Sequence, residues 1–148
     1  MELSALLGII GSDAALEATL PTMAAPGPGT LVIPEGLRPA AAALAHQERV
    51  ERGETSPTIV VTAGGRRANQ FAQALGAWIP GVAVMPSWET LPHERLSPQV
   101  DTMSRRVTVL RRLLHPEADV EGAGPISILV TPVRSLMQPM IKGVGEIP

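Results

Sequence analysis

Thr58-Ile-Val-Val-Thr-Ala-Gly-Gly-Arg-Arg-Ala-Asn-Gln-Phe-Ala-Gln-Ala-Leu-Gly-Ala-Trp78 is the stretch whose reading decides the fold. Its first five residues are all β-branched, with an apolar centre of Ile59, Val60 and Val61, the composition of a strand in a parallel sheet. Two glycines then break the run. From there Ala68, Phe71, Leu75 and Trp78 recur at helical spacing and share one face. A strand followed directly by an amphipathic helix is the repeating unit of an α/β fold.

The same unit is read on either side of it. Upstream, Thr30-Leu-Val-Ile33 is a short apolar run, and Leu37–Arg49 is an alanine-rich helix with Pro39 tolerated in its first turn. Downstream, Gly81-Val-Ala-Val-Met85 leads through a proline-rich loop into a helix beginning at Asp101, the expected N-cap. Ile126-Ser-Ile-Leu-Val-Thr131 is a fourth strand after the insert Pro116–Pro125, with a short helix at Val133–Gln138. Four alternations predict a parallel sheet with helices on both faces.

Before this core, residues 2–20 pattern as two short helices, with Ser12-Asp13 as an N-cap pair for the second and Pro21 ending it. The segment Pro21–Gly29 holds three prolines and two glycines and reads as a linker. The expected organisation is a helical appendage over 1–24, an α/β subdomain over 25–138, and the start of a following, truncated subdomain at 139–148, where periodicity and caps are lacking.

Composition narrows the function. The chain has 148 residues, a net charge of −2 and no cysteine, so disulfides and thiolate metal sites are excluded and no global basic field draws it to nucleic acid. Aromatic residues make up 2%, which leaves the core aliphatic. No signal peptide or membrane-length apolar run is seen, so the expected location is cytoplasmic. Lys142 is the single lysine, and none stands in a glycine-rich turn.

That last point bears on nucleotide chemistry. A phosphate loop needs convergent glycine amides, a lysine and a following hydroxyl. The turn Pro34-Glu35-Gly36-Leu37-Arg38 has one glycine, no lysine, no hydroxyl and a repelling carboxylate. No enzymatic activity is expected of it. Gly64, Gly65, Arg66 and Arg67 form a better anion candidate, with a tight turn and solvated arginines as the plainer alternative. His46, His93 and His115 are too scattered for a familiar metal site, and Ser87, His93 and Asp101 lack the turn that would make a nucleophile.

In the helix after the loop, Met103, Val107, Leu110 and Leu114 share one face and Arg106 falls within the same arc, at about 100° per residue. A buried guanidinium needs acceptors, and Glu89 or Glu94 of the loop is the expected partner. The alternative is an arginine snorkelling at the edge of the face.

Two segments together carry a family likeness: Met85-Pro-Ser-Trp-Glu-Thr-Leu-Pro-His-Glu-Arg-Leu-Ser-Pro98, followed by Asp101 and Ser104-Arg-Arg106, and Ile128-Leu-Val-Thr-Pro-Val-Arg-Ser-Leu-Met-Gln138. Over about Thr30 to Gln138 the chain resembles the N-terminal region of the bacterial transcription-repair coupling factor, with Trp88, Glu89, Pro92, Glu94, Asp101 and Arg106 within the motif. The resemblance implies a P-loop NTPase-like fold with a degenerate phosphate loop, similar to the excision-repair helicase subunit UvrB. It further implies a non-catalytic scaffold subdomain, with no cofactor of its own, in a translocase linking stalled RNA polymerase to nucleotide excision repair. ATP, RNA polymerase, the UvrA damage-recognition ATPase and duplex DNA are then met by the parent protein, mainly through regions beyond this chain, while the subdomain itself packs against other domains of the parent and meets no membrane. The competing reading is a stand-alone nucleotide- or anion-binding α/β domain.

Overall fold

The computed structural model describes residues 3–88, 99–117 and 124–140. Its elements in chain order are α1 (Ser4–Gly11), α2 (Ala14–Ala24), α3 (Arg38–Glu51), β1 (Thr58–Thr62), α4 (Gly65–Leu75), β2 (Val82–Val84), α5 (Val100–Leu114), β3 (Ile128–Pro132) and α6 (Val133–Met137).

Three strands form one parallel sheet in the order β1-β3-β2. The chain passes from β1 to the far edge and then returns to the middle. Because crossovers between parallel strands are right-handed, reversing the direction of travel puts the two crossover helices on opposite faces. Thus α4 lies on one face, where Ile128, Val130, Ala68, Leu75, Ala40, Ala43, Leu44 and Leu7 make the main cluster. The other face carries α5, with Ala83, Met85, Val109, Ile126 and Leu129 in a second, smaller cluster. The expected α/β class, with a parallel sheet and helices on both faces, is what forms.

Several local expectations need correction. Thr30–Ile33 forms no strand, so among the described residues the sheet has three strands and not the expected four. Apolar β-branched residues make a strand only where a neighbour supplies ladder bonds. Here the run lies along α1 and α2, beside Ile9, Ile10 and Leu16, with Val32 92% exposed. Nor does Pro21 end a helix. It removes one intrahelical bond, and α2 continues to Ala24, with the Ala25 N–H donating to Pro21 O at 3.0 Å. Asp13 is the N-cap of α2 as read, accepting from the Ala15 and Leu16 amides at 3.0 and 3.3 Å. Asp101 is not the N-cap of α5. The helix starts one residue earlier, and Asp101 in its first turn is ion-paired with Arg105 at 3.1 Å.

The two leading helices pack closely on the rest. Leu7 is 1% exposed within the main cluster, and Gly11 lies against Leu44. One glycine is required by geometry. Gly81 opens β2 at φ +76°, and a Cβ there would stand 2.6 Å from Ser127 Oγ and 3.1 Å from Pro125 O. The Ser127 N–H donates to Gly81 O at 2.9 Å, so this close approach sets β2 against β3.

Candidate functional site

Ligands of open α/β sheets bind at the carboxyl ends of the strands, so those ends are the place to look for chemistry. At the end of β1, α4 starts from Gly64, whose φ of −157° and ψ of 166° are ordinary extended backbone. Thr62 Oγ1 donates to Gly64 O at 3.2 Å. Arg66 and Arg67 are exposed, and Arg67 Nη2 pairs with Glu35 Oε1 at 3.0 Å, with both side chains largely in solvent. The two turns separated in sequence thus meet, and the carboxylate of one takes up a guanidinium of the other. An exposed pair of this kind contributes about 0–1 kcal/mol.

At the ends of β2 and β3 the polar groups are more numerous and far better buried. Met85 extends the ladder by one bond, its N–H donating to Val130 O at 3.0 Å. Its carbonyl accepts from Thr131 Oγ1 at 3.1 Å, Thr131 being wholly buried. The next carbonyl, of Pro86, accepts from Arg106 Nη1 at 2.6 Å and from Ser135 Oγ at 3.1 Å. Ser135 Oγ also accepts from Arg106 Nη1 at 2.9 Å. Two residues on, the Trp88 N–H donates to Gln138 Oε1 at 2.7 Å and Gln138 Nε2 donates to Trp88 O at 3.1 Å. One side-chain amide thereby satisfies both backbone polar groups of Trp88, as a neighbouring strand would. The Arg106 guanidinium carbon lies 4.5 Å from the Trp88 ring centroid, a cation–π contact.

Arg106 is the centre of this arrangement. It is 2% exposed, and burial pulls its pKa down from the ordinary guanidinium value, though an arginine stays charged at any pH a protein survives. A buried cation is tolerated only if its donors are met; among the described residues a carbonyl and a hydroxyl accept from Nη1 and an aromatic face covers the guanidinium. The inward position read for Arg106 is therefore found, and the edge position is not. Glu89, Pro92 and Glu94, the expected acidic partners and their loop, lie outside the described residues, as does His93.

Ser135 and Gln138 were not singled out from the sequence. The available signal was their spacing: three residues apart after the buried strand, they fall one turn from each other on the side of α6 facing the exit of β2. Among the described residues no buried side-chain nitrogen or oxygen lacks a partner. Among the described residues no nucleophile is paired with a base in this network.

A separate polar site lies at the start of β1. His46, 8% exposed on α3, places Nδ1 2.9 Å from Thr58 Oγ1. Beside it Arg49 holds Glu54 through Nε and Nη2 at 2.8 and 2.6 Å. Burial, with the Arg49 charge as a smaller influence, holds the His46 pKa below its ordinary 6.5, so the ring is neutral near pH 7. It serves the packing of α3 on β1. Among the described residues no group of three histidine, aspartate or glutamate side chains could hold a metal ion, and no helix is long and apolar enough to cross a membrane.

Fold and site together define a small parallel α/β unit whose buried polar side chains brace a crossover. The chain is 48% identical over 118 residues to the transcription-repair-coupling factors of Mycobacterium bovis and Mycobacterium tuberculosis, a match covering 78% of this chain and 9% of each relative. The Haemophilus influenzae transcription-repair-coupling factor is 32% identical over 101 residues, covering 68% of this chain and 8% of its own. The chain is thus homologous to a region of transcription-repair-coupling factors and spans about a tenth of the length of the curated relatives it matches. No family model matches it.

Proposed function

We propose that these residues form a non-catalytic scaffold subdomain of a transcription-repair coupling factor. In this reading the parent protein is a cytoplasmic, ATP-driven DNA translocase that links stalled RNA polymerase to nucleotide excision repair. Its motor, its polymerase contact and its contact with the damage-recognition ATPase lie elsewhere in that protein. The fold is then a P-loop NTPase-like unit, similar to the excision-repair helicase subunit, that no longer handles nucleotide.

The observation that carries the reading is the 48% identity over 118 residues to factors bearing that name. The chemistry of the chain agrees with the scaffold part of it. The turn after Pro34 is a single 3-10 turn, Glu35–Leu37, with no lysine, and its carboxylate is directed at Arg67. In the buried polar cluster around Arg106, Nη1 donates to the Pro86 carbonyl and to Ser135 Oγ.

The competing reading, an anion- or nucleotide-binding domain built on Gly64, Gly65, Arg66 and Arg67, draws on the glycines at the start of an 11-residue helix. Calorimetric titration of the chain with ATP and with duplex DNA separates the two. No heat beyond dilution is expected with either. ATP binding that disappears in Arg66→Ala/Arg67→Ala would overturn the scaffold reading in favour of its rival.

A further inference from the structure

Among the described residues β2 is an outer strand of the sheet, pairing with β3 alone. In a parallel ladder the peptide groups of successive residues point alternately to the two sides of the strand. Gly81 O accepts from the Ser127 amide at 2.9 Å and the Met85 N–H donates to Val130 O at 3.0 Å, so Gly81, Ala83 and Met85 turn their peptide groups to β3. The N–H and C=O of Val82 and Val84 therefore point outward. Sheet edges are commonly closed by a charge, a proline or a bulge within the outer strand. Here Val82-Ala83-Val84 is apolar and in regular register, and Pro80 and Pro86 stand outside it.

The ground beside this edge is shaped and charged. A shallow hollow of about 210 Å³ lies against β2, bordered by Ala83 and Val84 and, from α5, by Ser104, Arg105, Thr108 and Arg112. No residue of β3 lines it, so it opens on the outer side of β2. Arg105 holds Asp101 through Nε at 3.1 Å in a pair that stands largely in solvent. Arg112 donates to the Gly124 and Pro125 carbonyls at 3.0 and 3.2 Å, and those neutral acceptors leave its charge in place. The hollow is thus cationic on balance. Ala83 belongs to the cluster under α5, whereas Val82 and Val84 turn to the other face, where they are half-buried at the margin of the main cluster. A strand laid along β2 would send alternate side chains over the arginines and over the two valines. A second copy pairing through the same edge would bring the two α5 flanks together, arginine against arginine, which disfavours self-association.

We propose that the outer edge of β2 takes an extended segment of a partner protein in which acidic residues alternate with apolar ones. Its backbone bonds to the outward groups of Val82 and Val84. Its carboxylates lie over Arg105 and Arg112 in the hollow, and its apolar side chains cover Val82 and Val84 on the opposite face.

The test uses the full-length coupling factor containing these residues and fluorescence anisotropy of a fluorescein-labelled peptide, Val-Glu-Val-Glu-Val-Glu-Val. Saturable binding that weakens with added salt is expected, and none with the counterpart in which lysine replaces glutamate. Val84→Pro deletes an outward N–H while leaving the bonds to β3 in place, and Arg105→Glu reverses a charge at an exposed position; each should raise Kd about tenfold. Two further peptides, methylated on the backbone nitrogens of either the valines or the glutamates, read the edge without altering the protein. Only one set of amides faces β2, so one of the two should lose binding and the other keep it. If Val84→Pro lowers the melting temperature, Arg105→Glu and the methylated peptides decide the matter. No binding of the glutamate peptide, equal binding of the lysine peptide, full binding by both methylated peptides, or a Kd unchanged in Arg105→Glu would each overturn the proposal. None of these outcomes bears on whether the subdomain is catalytic, so the scaffold reading is tested separately by the titrations with ATP and DNA.

Discussion

Strands β1 and β3 lie side by side in register and have similar compositions, but they occupy different environments. Ile59 and Leu129 are cross-strand partners with side chains on the same face, yet Ile59 is 56% exposed and Leu129 is 6% exposed. All five residues of β3 are buried, whereas β1 alternates. The difference comes from what lies above each strand: α5 covers β2 and β3 and leaves β1 bare. Burial in a parallel sheet is therefore a property of the crossover helices more than of the strand's own residues.

The largest expected effect exploits that pair. Leu129→Ala should lower unfolding stability by about 3 kcal/mol, the usual range for emptying a packed aliphatic site, while Ile59→Ala should stay within about 0.5 kcal/mol. Urea denaturation of both variants measures the contrast. Equal losses would mean that both sites are covered in solution and would erase the distinction between the strands.

Next comes the brace that holds α5 and the exit of β2 in place. Arg106→Met removes a charged donor from the Pro86 carbonyl and from Ser135, at an expected cost of about 2 kcal/mol. Because the guanidinium also covers the Trp88 ring, its loss should shift tryptophan emission. In a Trp78→Phe background the shift reports Trp88 alone. Unchanged emission would show that the stacking does not persist in solution.

A smaller change is expected at the end of β3. Thr131→Val keeps the shape of a buried side chain but deletes its donation to Met85 O, and the expected loss is about 1 kcal/mol. Serine at the same position should recover most of it, since the hydroxyl returns.

The smallest effect is tied to pH and to the start of β1. With the His46 pKa held below 6.5 in the folded state, the unfolded chain takes up a proton first as the solution is acidified. The contribution of His46 is therefore complete above pH 6.5 and declines as pH falls through that value toward the folded-state pKa. His46→Gln should flatten this part of the stability curve between pH 7.5 and 5.5, as read by thermal melts. A curve of unchanged slope would show that other groups carry the acid sensitivity.

Much of this was legible along the chain because it depends on local periodicity. The face Ala68, Phe71, Leu75 and Trp78 was visible at helical spacing, and Ala68 and Leu75 are fully buried. The same arithmetic put Arg106 within the apolar arc but left open whether it is buried or snorkels at the edge; its 2% exposure decides for burial. What could not be read were its acceptors. Pro86 O, Ser135 and the Trp88 ring come from two other segments, and only the return of β3 between β1 and β2 brings them within reach. The error at Thr30–Ile33 has the same origin, since an apolar run has no intrinsic ladder partner and here lies along α1 and α2.

The sequence by itself determined the alternation of strand and helix, the absence of a lysine in any glycine-rich turn, and the aliphatic core. Each is set by residue identity and spacing over a few turns of chain. Only the tertiary structure decided that the sheet has three strands among the described residues, that Arg106 Nη1 donates to a carbonyl and a hydroxyl, and that β1 keeps one face open among the described residues. Those depend on which distant segments become neighbours, and that is fixed by the right-handed crossovers and by the direction in which the chain returns.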